Sequence, residues 1–423
     1  MANETVFTMD TSSIKVGRGA TREVGSDLLG AKRVLVITDS NVAQTAVVET
    51  VLDSLSRAGI QAVLYDRVRV EPTDESFKAA SAFAADGQFD AFAAVGGGSV
   101  IDTAKAANLY STYPADFMDY VNPPIGKGKP VPGRLKPLIA IPTTAGTGSE
   151  TTGVAIFDLV DRQVKTGIAH RALRPTLGII DADNTRTMPA LVAACSGLDV
   201  LCHAVESLTA LPYQQRAAPE RPELRPAYQG ANPISDIWTA RAIELVSRYL
   251  VRAVQDQSDE EARENMLLAA AYAGIGFGNS GVHLPHGMSY PVAGMVRDYQ
   301  PEGYHVDHPI IPHGMSVILN APAVFRFTAQ ANPARHLYAA QLMGCDISGV
   351  PEHKAGELLA GAFITIMQEV GMPNGLSAVG YGEADLEALA EGTLPQHRVT
   401  KLSPRPAAKE DLIELFRGAL RYW

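Results

Sequence analysis

Ala91-Phe-Ala-Ala-Val-Gly-Gly-Gly-Ser-Val-Ile-Asp-Thr-Ala-Lys105 decides how this chain folds. Ala91 to Val95 is a short unbroken apolar run, as a strand buried on both faces requires. It passes directly into Gly96-Gly97-Gly98-Ser99, and a helical pattern follows from Val100 to about Tyr110. Strand, glycine turn and helix in immediate succession open a βαβ unit. Unpaired N–H groups at such a helix start point outward, and the helix dipole favours an anion there. Structural glycine turns look the same, but two features point to a ligand. Asp102 and Lys105 follow on the same helix. A second loop, Pro142-Thr143-Thr144-Ala145-Gly146-Thr147-Gly148-Ser149, leaves another apolar run, Leu138 to Ile141. Ligands of open α/β sheets gather at strand ends, so the two loops predict a pyrophosphate held between them. The turn does not have the Gly-x-Gly-x-x-Gly spacing of the usual dinucleotide fold.

Outward from this stretch, strand and helix signals alternate. Val34 to Ile37, Gln61 to Tyr65 and Gln163 to Ile168 read as strands. Residues 43–58 and Asp74 to Ala85 read as helices, with Asp74 as the cap of the second. This predicts a doubly wound α/β domain over residues 1–188. Beyond Met188-Pro189 helical patterns dominate, at about 190–210, 233–255, 260–275, 313–329, 351–370 and 408–421. An all-helical domain is expected over 189–423. Residues 211–232 are rich in Pro and Arg with little periodicity. A lid, an oligomer contact and a surface excursion all remain open for them.

A chain of 423 residues suits two or three domains. The formal net charge of −10 argues against nucleic acid as the main partner. No basic helix or apolar run of spanning length is read, so no membrane element is expected. The first residues show neither a secretion signal nor a transit peptide. Three cysteines, Cys195, Cys202 and Cys345, make no disulfide framework. A cytoplasmic location is expected, with Cys195 and Cys202 as small core residues. The large apolar helical surface suggests a homo-oligomer.

Two near-copies of a pentapeptide carry the chemistry: Pro285-His286-Gly287-Met288-Ser289 and Pro312-His313-Gly314-Met315-Ser316. Proline fixes the backbone before each ring, and glycine lets another group come close behind it. Upstream, Asp199 and His203 share a face if their segment is helical. One carboxylate and three imidazoles make a four-ligand set that suits iron(II) or zinc better than magnesium or calcium. Each histidine alone reads as core or surface; the set reads as a metal site. Such an ion acidifies a substrate hydroxyl, whose carbon can then pass hydride to a nicotinamide. Asp39, after the first strand, either holds ribose hydroxyls and favours NAD, or caps the next segment. Lys165 reaches a ribose or phosphate, or is solvated. His283 supports His286 or packs. Arg297, His305 and His308 are either carboxylate contacts or ordinary surface residues.

At these residues the chain resembles the iron-containing (group III) alcohol dehydrogenase family. Gly96 to Lys105, Pro142 to Glu150, Asp199 with His203, and the two Pro-His-Gly histidines match in order. The resemblance implies a dinucleotide-binding domain followed by a helical metal domain. It implies Asp199, His203, His286 and His313 as metal ligands, with iron(II) ahead of zinc. It implies Asp39, Thr73, Gly97, Gly98, Ser99, Asp102, Thr143, Thr144, Thr147, Ser149 and Lys165 along NAD. The likeness is closer to the hydroxyacid-oxoacid transhydrogenase branch, over nearly the whole chain. Pro124–Pro130, Arg225–Trp238, Gly276–His283 and Gly392–Lys401 carry it most specifically. That branch is similar to an enzyme oxidising 4-hydroxybutyrate to succinate semialdehyde while reducing 2-oxoglutarate to D-2-hydroxyglutarate, its NAD staying bound. An ordinary NAD-dependent alcohol or 4-hydroxybutyrate dehydrogenase releasing NADH is the alternative, with a dehydroquinate-synthase-like cyclase behind it. Two departures from the wider family stand out. The stretch between His286 and His313 is longer, so Arg297 and His308 become candidate substrate contacts. Tyr290 stands where many members carry a proton-relaying histidine. It is the catalytic candidate, although a phenol is a poor base near neutrality.

Overall fold

The computed structural model describes residues 2–162, 164–304 and 306–423, without the side chain of Glu223. Gln163 and His305, both named above, lie outside them. The chain divides into two compact units: Thr11–Pro189, and Met1–Asp10 together with Ala190–Trp423.

In the first unit the strands are β1 (Ser13–Val16), β2 (Arg33–Ile37), β3 (Gln61–Tyr65), β4 (Ala91–Gly96), β5 (Leu138–Pro142), β6 (Val154–Leu159), β7 (Val164–Ala169) and β8 (Leu177–Ile180). Among the described residues, six of them form a sheet in the order β1-β8-β5-β4-β2-β3, and its pairs are parallel. The unbroken apolar runs follow from burial on both faces. Val34 and Val36 of β2 pack with Val51 and Leu55 of the Ala46–Arg57 helix. Leu35 and Ile37 face the other layer, with Ala80 and Ala84 of the Asp74–Gly87 helix and Ile101 and Ala104 of the Gly98–Thr112 helix. That second helix layer is capped by Thr73 rather than Asp74. Thr73 Oγ1 accepts from Ser76 N at 3.2 Å, and Ser76 Oγ accepts from Thr73 N at 2.9 Å. A β-region residue one position earlier supplies the cap, as the geometry of a capping box requires.

β2 pairs with β3 on one side and β4 on the other. The strand order therefore reverses there, and the residues just beyond β2 and β4 stand at a topological switch point. β6 and β7 form an antiparallel hairpin with Asp158 opposite Lys165.

The second unit is helical, and it includes the first ten residues, which the sequence reading assigned to the α/β domain. Local pattern is silent on this, because long-range bonds decide it. Thr8 N donates to Gln229 Oε1 at 2.9 Å, and Asp10 N to Asn279 Oδ1 at 2.9 Å. Residues 211–232 join the same unit: Arg225 Nε meets Glu4 Oε2 at 3.0 Å, and Gln229 N donates to Asn279 O at 2.8 Å.

The main helices of this unit are Ala190–Thr209, Pro233–Gln255, Glu260–Ser280, Leu284–Gly294, Ala355–Glu369 and Lys409–Ala419. The expected helix over 313–329 is two, His313–Ile318 and Ala321–Thr328. Pro322 has no N–H to bond back one turn, so the helix restarts with proline in its first turn, where none is owed. The Ala190–Thr209 helix corrects a second expectation. By length and composition it is apolar enough to cross a membrane, yet 83% of that window is buried within the fold. Cys195 and Cys202 are free and buried in it.

Candidate metal centre and cofactor loops

Three residues on one face of the Ala190–Thr209 helix build the centre: Asp199, His203 and Glu206, at i, i+4 and i+7. The Leu284–Gly294 helix brings His286, and the His313–Ile318 helix brings His313. Asp199, His203 and His286 are buried, each offering a ligand atom within 4.8 Å of the others. His286 Nε2 lies 3.5 Å from Asp199 Oδ1, and His313 Nε2 4.0 Å from it at a more exposed position. The His203 ring stacks between Phe277 and His286, at centroid distances of 3.9 and 4.5 Å.

The two glycines after the histidines make this approach possible. A Cβ on Gly314 would sit 2.0 Å from Cys195 O and 3.0 Å from Asp199 Cβ, and one on Gly287 would sit 2.6 Å from Thr400 Cγ2. The clash at Gly314 is with backbone and cannot be relieved by a side-chain move, so glycine there has a steric cause; at Gly287 the Thr400 methyl would have to shift.

Asp199 Oδ1, His203 Nδ1 and His286 Nε2 are buried without a hydrogen-bond partner among the described residues. Each such orphan costs about 1–3 kcal/mol, and a cation between them would satisfy all three. Electrostatics agree. Burial pushes His203 down to about 3, against the pull of Asp199, which keeps it neutral as a ligand must be. Burial works against charge on His286 too, but the Glu206 and Asp199 carboxylates overcome it and raise His286 to about 10; the negative charge that holds a proton on this ring favours a metal cation, whose binding releases that proton. The donor set therefore fits a divalent metal.

Glu206 was not singled out in the sequence. It is fully buried; Oε1 accepts from His283 N at 2.9 Å and His286 N at 3.1 Å, and Oε2 is hydrogen-bonded to His286 Nδ1. A carboxylate behind a ligating histidine sets its tautomer and ring orientation. Its i+7 spacing from Asp199 was the available signal. His283 shares this carboxylate and packs through Nε2 against Thr209 Oγ1 at 3.0 Å.

In the α/β unit the two predicted loops are neighbours, because Gly96 pairs with Pro142 across β4 and β5. The Gly98–Thr112 helix has no side-chain cap at Gly97, leaving its first N–H groups for an anion. Gly97 packs on Thr144, and a Cβ on Gly98 would lie 2.5 Å from Thr147 Cγ2. Thr143 N donates to Gly96 O at 3.1 Å, and Thr147 Oγ1 accepts from Ser149 N at 3.2 Å. The loops are pinned from beneath. Lys105 Nζ, fully buried, donates to Ser149 Oγ at 2.6 Å and Val154 O at 2.8 Å. Ser149 Oγ in turn donates to Asp102 Oδ1, whose Oδ2 accepts from Ile156 N at 2.9 Å. Glycine faces a side chain would fill, with a free helix start beside them, fit a dinucleotide phosphate.

Asp39 Oδ1 accepts from Asn41 N at 2.9 Å and Val42 N at 3.0 Å, so the carboxylate does act as a cap. It stands at the switch point nonetheless. Lys165 is not solvated: it is buried between Glu71 Oε2 at 2.6 Å and Asp158 at 3.1 Å. Glu71 N donates to Ser99 Oγ at 3.2 Å, which links this ion pair to the glycine turn.

Beneath the loops, Glu150 Oε1 is buried without a partner among the described residues. Burial pushes its carboxyl up from 4.5 to about 7 and the Lys105 amine down to about 8. A raised carboxyl adds stability that is full below its unfolded value and lost as pH rises through its folded one. Glu150→Gln cannot ionise. Its unfolding midpoint should match the wild type near about pH 4 and exceed it near about pH 8, by up to about 3 kcal/mol of stability. Equal differences at both pH values would remove this account.

Arg297, a candidate substrate contact, has protein partners of its own. Its guanidinium is paired with Asp385, donates to Gly380 O at 3.2 Å, and is 58% exposed. His308 Nδ1 pairs with Asp307 at 3.0 Å. Tyr290 is buried, and its hydroxyl accepts from Arg398 Nη2 at 3.0 Å.

Comparison with known proteins now adds to this geometry. The family pattern described as iron-containing alcohol dehydrogenase matches residues 11–182, and its C-terminal counterpart matches 227–420. The chain belongs to the iron-containing alcohol dehydrogenase family. Membership makes it an oxidoreductase and implies NAD and a divalent metal. It is 57% identical over 421 residues to the hydroxyacid-oxoacid transhydrogenase, mitochondrial, of Bos taurus, covering 99% of this chain and 90% of that protein. The protein of the same name from Xenopus tropicalis is 56% identical over 424 residues, covering 99% and 92%. A solved structure of a 1,3-propanediol oxidoreductase superposes with a TM-score of 0.85 at 28% identity, covering 98% of this chain and all of that one. The names of the two relatives overturn the cytoplasmic location expected for this iron-containing alcohol dehydrogenase. Free cysteines and net charge report redox state and partner charge, and neither reports an organelle.

Proposed function

We propose that this chain is a hydroxyacid-oxoacid transhydrogenase: it moves hydride from 4-hydroxybutyrate to 2-oxoglutarate through an NAD that stays bound. The products are succinate semialdehyde and D-2-hydroxyglutarate. The observation that carries this reading is 57% identity across 99% of the chain to a protein so named. Asp199, His203, His286 and His313 would hold the metal, with iron(II) the first ion to test and zinc the second. When bound, the metal supplies Lewis acidity to a substrate oxygen, and NAD accepts and returns the hydride.

The chain's own residues do the rest. Burial keeps His203 neutral. Glu206 holds His286 with Nε2 turned toward Asp199. The glycine turn and the Thr143–Ser149 loop bind phosphate, and Lys105 keeps those two loops in register. Tyr290 lies one turn beyond His286 on the same helix, a position from which a hydroxyl can pass a proton.

The test is turnover without added NAD. Protein loaded anaerobically with iron(II) and stripped of free nucleotide is given 4-hydroxybutyrate and 2-oxoglutarate. The expected result is 2-hydroxyglutarate in molar excess over enzyme. NADH accumulating only after NAD is supplied would instead mark a conventional dehydrogenase.

A further inference from the structure

The short helical turn His397–Thr400 lies against the Leu284–Gly294 helix, its Thr400 and Val399 methyls touching the glycine face beside His286. Arg398 on that turn differs from four other arginines of its unit in its partners. Arg225, Arg252, Arg297 and Arg335 each meet a carboxylate. Arg398 does not: Nη2 donates to the Tyr290 hydroxyl, and the guanidinium lies over the Tyr228 ring, 5.0 Å from its centroid. Nη1 is buried and without a hydrogen-bond partner among the described residues. The surroundings add positive charge. The Lys401 amine is lowered by burial and then by Arg216 and Arg398. Glu4, the acid that acts on Arg216, is itself paired with Arg225 at 3.0 Å. A largely enclosed guanidinium with an unused N–H and no acid partner among the described residues is a strong receptor for a carboxylate.

We infer that Arg398 is the substrate-carboxylate clamp of the metal site, with Tyr290 holding its fork in place. This rests on the hydroxyacid reading above and deepens it. In 4-hydroxybutyrate the carbon that loses hydride is separated from the carboxylate by two methylenes. In 2-oxoglutarate the carbon that receives hydride is separated from the distal carboxylate by the same two methylenes. One clamp at one distance from the metal therefore serves both half-reactions, and neither needs the site to rearrange. Arg297 and His308, with partners of their own, are not required.

Butyrate isolates the clamp, because it carries the tail and carboxylate but no reacting oxygen. Its Kd is measured by calorimetry on metal-loaded wild type, Arg398→Met, Arg398→Lys and Tyr290→Phe, with metal content and melting temperature recorded for each. Arg398→Met should raise the butyrate Kd by about 100-fold at unchanged metal content. Arg398→Lys should fall between the two, and Tyr290→Phe, which keeps the cation, should weaken binding by less than about 10-fold. The KM for 4-hydroxybutyrate should rise in the same order. Butyrate binding equally to wild type and Arg398→Met, or failing to bind wild type at all, would overturn the clamp. Butyrate binding through Arg398 in a protein that exchanges no hydride between 4-hydroxybutyrate and 2-oxoglutarate would keep the clamp and remove the transhydrogenase reading.

Discussion

His286→Ala should lose the metal and turnover together. Four candidate ligands converge, and catalytic sites are known to hold zinc with three protein ligands, so loss of one need not abolish binding in general. Here the survivors are poorly placed to compensate. His313 is the most exposed of the set, 4.0 Å from Asp199 Oδ1. His203 would lose the ring it stacks on at 4.5 Å. The deletion also strands Glu206. Its Oε2 partner is the imidazole being removed; Oε1 keeps its two backbone donors, and breaking a buried pair by removing one member costs about 3–5 kcal/mol. Metal content by elemental analysis should fall from about one per chain to below about a tenth. Activity after anaerobic reconstitution should track that residue. Normal metal content with normal turnover would sink the assignment of His286.

Most of the centre was legible because its candidate ligands obey short-range rules. Asp199 and His203 are four apart on an evidently helical stretch, and the twin Pro-His-Gly pieces declare two histidines framed alike. The helix bearing His286 was harder to see. Leu284–Gly294 contains Pro285, Gly287 and Pro291, all poor helix formers, yet Pro285 sits in the first turn where no N–H is owed. In the α/β unit, β2, β4 and β5 were readable as continuous apolar runs because both faces are covered. β1 escaped notice because its four residues are only partly buried, and β8 carries Gly178 in a four-residue strand. The arginines show where sequence reading stops. Arg297 and Arg398 are both arginines of the same unit, and their side-chain partners lie 88 and 108 positions away. Arg297 finds Asp385, 88 positions away, while Arg398 finds two tyrosines and, among the described residues, no acid. Which arginine is left unneutralised depends on tertiary packing, and no local pattern encodes it.

Glu206→Gln should cost the metal while sparing the fold, and the reason is a proton rather than a contact. Oε1 of Glu206 accepts two backbone N–H groups, from His283 and His286. A glutamine amide can keep that pair only by presenting its oxygen to them. Its NH2 then faces His286 Nδ1, which must become an acceptor. The imidazole proton moves to Nε2, the atom turned toward Asp199, and a protonated nitrogen cannot ligate. Flipping the amide restores the tautomer but sets NH2 against two backbone donors, so either arrangement is penalised. Metal affinity should drop about 10–100-fold, as for other carboxylates behind ligating histidines, with little change in melting temperature. Glu206→Ala should lose metal and also melt markedly lower, because the two N–H groups it strands are buried. If Gln and Ala behave alike in both readouts, Glu206 acts only as filler. If Gln alone keeps the fold and loses the metal, the carboxylate governs the protonation of His286.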